Sequence, residues 1–187
     1  MLPLAVLAVF LGADSPCLAQ PAAGVASAWD MRATLAQLVD QAQRLSHLTD
    51  QLNVGEWVNQ GAPETYVQQR QTVQTQAGYL RTVSQRLSAD PERLSLALDA
   101  YFRLQTLEQH IATLAEGAAR FQEEEHSREL GELLSRNSEA ATRLRQYVMD
   151  LSVTKEQEYA VAEKEAQRCQ VILNRSSPVK PEAKGKK

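Results

Sequence analysis

Between residues 27 and 52, Met31, Leu35, Leu38, Ala42, Leu45, Leu48 and Leu52 recur at spacings of three and four. That spacing places them on one stripe of a single helix. Residues 53–62, with two glycines, interrupt the pattern, and Pro63 then stands where a first helical turn tolerates its missing N–H. A second helix is predicted from about Pro63, carrying Tyr66, Val73, Ala77, Leu80, Val83 and Leu87. Ser88-Ala89-Asp90-Pro91-Glu92 predicts a tight turn in which Asp90 caps a helix whose first residue is Pro91. So short a link makes helices two and three an antiparallel hairpin. Helix three follows with Leu94, Leu98, Tyr101, Leu104, Leu107, Ile111, Leu114, Ala118 and Phe121.

No proline interrupts residues 92–177, so the next turn must be read from phase. Leu130 lies nine residues after Phe121. Nine steps of 100° bring it to the opposite side of a continuous helix. A turn is therefore predicted at Glu123-Glu124-Glu125-His126-Ser127, with Ser127 as its cap. Helix four runs from about Arg128 to Asn174 through Leu130, Leu134, Leu144, Val148, Leu151, Ala162, Ala166, Cys169 and Leu173. It is about twice as long as helix one, so it either breaks near Ser152-Val153-Thr154 or projects past the bundle. A projecting half with the weak heptad stripe Ala162, Ala166, Cys169 and Leu173 is suited to coiled-coil pairing with a second copy, and a parallel dimer would set Cys169 against its mate.

Strand-type alternation is missing, and the chain of 187 residues has eight Gly and seven Pro, so the predicted class is all-α. The architecture is an antiparallel bundle of about four helices with a long last helix and a disordered tail. The boundaries are a leader over 1–19, a bundle over 20–175 and a basic tail over 176–187. The leader rests on an apolar run from Leu2 to Ala13 followed by Cys17-Leu18-Ala19. That run has the length of a secretory signal core and is too short to span a bilayer. Cleavage after Ala19 would start the exported chain at Gln20, in the periplasm or outside the cell. The leader has no Lys or Arg, and Asp14-Ser15-Pro16 before Cys17 differs from the Leu-Ala-Gly pattern of a lipidated cysteine.

Charge changes the picture in one respect. The full chain carries a net charge of −3, whereas the tail holds Lys180, Lys184, Lys186 and Lys187 against Glu182. The body is therefore acidic and poor in aromatics, which argues against a nucleic-acid surface. The tail has too little apolar surface to fold, and its lysines offer a weak contact to anionic lipid.

Candidate chemistry is sparse. Glu123 and His126 have the Glu-x-x-His spacing of di-iron bundles, but Arg44 and Leu107 occupy the matching positions before His47 and His110, so the spacing reads as a solvated acidic turn. Met31 and His110 are the one Met/His pair to weigh for haem, and no Cys-x-x-Cys-His is present. No Gly-x-Ser-x-Gly or phosphate-binding glycine loop occurs, which points away from an enzyme. Trp57 and Tyr66 flank the Gly61-Ala62-Pro63 turn, either as a rim for a ligand or partner or as a plug for the end of the core. With no catalytic residue, metal ligand or cofactor assigned, the expectation is a non-catalytic envelope adaptor, scaffold or chaperone-like binder with another envelope protein as partner. The competing expectation is a small-molecule, metal or haem binder.

Overall fold

The computed structural model describes residues 28–121 and 123–176; the leader and residues 177–187 lie outside them. The described residues are all-α: α1 (Ala28–Gln51), α2 (Val54–Asn59), α3 (Thr65–Ala89), α4 (Leu94–Arg120) and α5 (Glu124–Ser176). Helices α1, α3, α4 and α5 form a ring in which α1 packs on α3 and α5, and α4 on α3 and α5. Neighbours are antiparallel. Gln74 near the start of α3 donates to Asp50 at the end of α1 (2.6 Å), and Ser127 of α5 donates to the Ala115 carbonyl near the end of α4 (2.9 Å). The stripes read from the sequence meet on the ring's axis, where Leu35, Leu38, Leu80, Leu87, Leu104, Leu107, Ile111, Leu130 and Leu144 are buried. Burial of these stripes is the main stabilising term, because the stability of a helix in a protein comes mostly from packing of its amphipathic face.

Four local expectations are corrected. The segment read as a break contains α2, because Val54 and Trp57, three residues apart, both bury their side chains. Past the last residue of α2, Gly61 turns the chain, and its φ of 98° suits a residue without Cβ. There Ala62 N–H donates to the Trp57 carbonyl (2.8 Å) and Gly61 N–H to that of Val58 (3.0 Å), the paired bonds of a Schellman cap. α3 accordingly begins at Thr65 rather than at Pro63. Asp90 does not cap α4: it ends α3, its N–H donating to Arg86 (3.0 Å), and α4 starts at Leu94. In a helix starting at Pro91, that residue's carbonyl would accept from the amide four residues on. Instead it accepts from the buried Tyr147 hydroxyl of α5. Ser127 is likewise not a cap, since α5 begins at Glu124 and the Ser127 hydroxyl reaches across to α4.

Helix α5 does not break at Ser152-Val153-Thr154. Ser152 and Thr154 return their hydroxyls to the carbonyls of Val148 (2.7 Å) and Asp150 (3.0 Å), and the helix continues. Its 53 residues span about 80 Å, roughly twice the ~40 Å of α4. Of the two readings of this segment, projection beyond the bundle is the one observed.

Asn137 lies seven residues before Leu144 on the core face of α5, is 3% exposed, and its Oδ1 has no hydrogen-bond partner. A buried acceptor without a donor opposes folding. Asn137→Leu is expected to raise stability by about 1 kcal/mol in urea unfolding.

Candidate functional site

Three places deserve a chemical reading: the projecting half of α5, the aromatic end of the bundle and the seam between α1 and α5. The projecting half begins where the core stops. Leu151 is the last buried side chain of α5, and residues 156–175 are all exposed, about 30 Å of helix. Its departure is fixed at the α3–α4 turn. Tyr147 bonds the Pro91 carbonyl, while Lys155 lies 2.9 Å from Glu158 and 3.6 Å from Glu92. Burial, and then the charge of Glu92, push the Tyr147 hydroxyl above its ordinary pKa, with Lys155 opposing. It therefore stays a protonated donor. The hydrogen bond to Glu158 raises Lys155 in turn, keeping that ammonium charged.

At 100° per residue, Tyr159, Ala162, Ala166, Cys169 and Leu173 all lie within about 60° of the line through Leu144, Val148 and Leu151. The core-facing face of α5 thus continues past the end of the core without a change of phase. Tyr159 is 71% exposed and Leu173 64%; Cys169 is a free, exposed thiol. Ala162, Ala166 and Cys169, the expected dimer contacts, share this face.

The aromatic end is built differently. Trp57 is 1% exposed, stacked on Phe121 with centroids 5.6 Å apart and edge-on to Tyr66 at 5.5 Å. Gly117 permits this approach, since a Cβ there would lie 2.7 Å from Tyr66 and 2.9 Å from Trp57. Trp57 has no free face to offer a ligand; half-buried Tyr66 packs against the core. Beneath them Glu123 is a hub rather than part of a solvated turn. It accepts from Trp57 Nε1–H (3.0 Å) and the Asn53 amide (3.2 Å), and its second oxygen meets His126 Nδ1 at 3.0 Å. The carboxylate is held by local structural partners. A Glu facing a buried Trp across a helix turn leaves no periodic signal in a sequence, and Gly117 reads there as a weak point in a helix.

The α1–α5 seam opens into a groove of about 540 Å³ lined by Arg44, His47, Leu48, Arg128, Glu129, Glu132, Leu133 and Arg136, among others. Arg128 is neutralised by Glu132 at 2.9 Å, and Arg44, Arg136 and Glu129 give the lining charges of both signs. Met31 is buried near the start of α1, whereas His110 meets Gln69 at 3.3 Å near the start of antiparallel α3. The two haem-type residues therefore sit at opposite ends of the bundle. Burial raises the pKa of Glu108, and no neighbouring charge contributes to that shift; it has the environment of a displaced surface carboxyl rather than of a paired acid and base. Among the described residues no three His, Cys, Asp or Glu side chains are placed to share a metal ion. No described helix is long and apolar enough to cross a membrane.

No family model matches the chain, and no curated protein or solved structure is detectably similar to it. The functional reading therefore rests on these residues.

Glu123→Ala would leave the Trp57 and Asn53 N–H groups without their acceptor. It is expected to cost about 2 kcal/mol in urea unfolding, with Glu123→Gln, which keeps a carbonyl oxygen, costing less.

Proposed function

We propose that this is an exported, non-catalytic interaction protein, a helical bundle that holds out the far half of α5 as its contact surface for another envelope protein. The observation that carries the reading is the exposed face of that half, where Tyr159 stands 71% exposed on the line of the core stripe. The core end of α5 is anchored by Tyr147 and Lys155, so the bundle acts as a rigid mount. An adaptor or scaffold needs such a mount and a presented helix face; it needs no reactive group.

Export is the part carried by the leader, and periplasmic or extracellular residence follows from it. Produced with its own first residues, the chain is expected to be recovered from the periplasm with a mass beginning at Gln20. A chain retained in the cytoplasm with residues 1–19 attached would overturn this.

The contact surface is tested by cross-linking in cells. Ala162→Glu with Ala166→Glu places two charges on the exposed face without touching the core, so thermal unfolding of the bundle is expected to stay unchanged. A protein cross-linked to the parent chain is expected to be lost from this variant. Identical cross-links from both chains would assign the contact to another surface.

A further inference from the structure

The projecting face is defined by its flanks as well as by its stripe. Take Tyr159, Ala162, Ala166, Cys169 and Leu173 as the centre line. At 100° per residue, Glu158 and Glu165 then border it on one side and Glu163 and Glu156 on the other, all within about 100° of that line. Lys164, Arg168 and Arg175 fall on the far side, roughly 140–180° away. Lys155 is on the line itself but is engaged by Glu158 and Glu92. In heptad terms the residues beside the seam are acidic or uncharged, and none is basic.

This pattern argues against a second copy as the occupant. Two such helices form no flanking ion pair in any register. A parallel pair, the arrangement that would set Cys169 against its mate, brings Glu158 of one copy opposite Glu163 of the other. Like charges facing across a helical seam disfavour pairing and so select the partner. The chain's own basic segment, 177–187, has no apolar repeat in its sequence, so it lacks the stripe that this face would pair with.

Resting on the reading of α5 as a contact surface, we infer that the projecting half receives an amphipathic helix of a different protein, one whose apolar stripe is bordered by Lys or Arg. Two observations carry this. The face is continuous with the established core interface of α5 through Leu144, Val148 and Leu151, so it has the shape of a surface that packs on helices. Its flanking charge is of one sign, and the complementary sign lies on its back.

The test uses the chain as its own probe. Glu156→Lys, Glu163→Lys and Glu165→Lys turn the flanks basic while leaving the stripe intact and leaving Glu158 on Lys155. The full-length parent and the full-length variant, both kept reduced, are measured by sedimentation singly and mixed, with circular dichroism to verify that the variant keeps its helix. The mixture is expected to form a 1:1 complex at least about tenfold tighter than the parent chain's self-association, with the difference shrinking at high salt. A parent chain that dimerises as tightly as the mixture would overturn the choice of a basic partner and leave the face as a surface for a second copy. A mixture that stays monomeric would overturn the face as a helix-docking surface. Loss or survival of the cellular cross-link in the Ala162→Glu, Ala166→Glu variant separately decides whether the face is a contact surface at all.

Discussion

The structure depends on one helix keeping its phase. α5 is packed against α4 along the bundle, closes the ring against α1, and then leaves it, and the same angular sector of the helix serves throughout. Leu130, Leu144 and Leu151 fill the core from that sector, and Tyr159, Ala162 and Leu173 carry it into solvent. A helix without a kink has no means of turning its apolar side away once its neighbours end. The apolar face therefore points along the extension of the core, and the polar contacts of Tyr147 and Lys155 at the α3–α4 turn fix where the support stops.

The opposite end of the bundle is closed by chemistry instead of by helix length. α1 and α3 are joined through α2, whose Val54 and Trp57 fold down over the core, and the Schellman cap at Gly61 reverses the chain sharply enough for α3 to start beside them. Trp57 brings a polar N–H into that closed space, and burying it unpaired would cost about 1–3 kcal/mol. Glu123, at the α4–α5 turn, supplies the acceptor. One carboxylate thereby ties the α1–α2 junction to the start of α5. Trp57, Tyr66 and Phe121 meet one another at this closed end.

What the sequence shows and hides follows from this division. The four long helices were legible because each buries one stripe, and a stripe is a periodic signal. The turn after Phe121 was legible from phase, since Leu130 fits no continuous helix that also buries Phe121. The caps were not. Asp90-Pro91 has the local form of a helix start, and it was overruled by a tertiary hydrogen bond from Tyr147, 56 residues later. Ser127 was misread for the same reason, its hydroxyl going to α4 rather than to its own helix. The role of Glu123 was hidden because its partners, Asn53 and Trp57, lie 70 and 66 residues away. The exposed stripe at Ala162, Ala166 and Cys169 was visible as periodicity. Whether a core would cover it was not, because that depends on where the other three helices end.

A stripe that outlives its core poses a choice for the chain, and the charges around it bear on that choice. An isolated helix face with Tyr159 and Leu173 exposed would readily find an identical face, since a second copy is always present at the same concentration. Small side chains at Ala162 and Ala166 would also allow two helix axes to approach closely. Against this stand Glu156, Glu158, Glu163 and Glu165, gathered beside the stripe while Lys164, Arg168 and Arg175 lie behind it. On a solvated helix with no interaction to favour, both signs would serve equally well on either side. Segregated as they are, the glutamates oppose self-pairing without weakening the helix, and it is on this segregation that the proposal of a partner of the opposite sign rests.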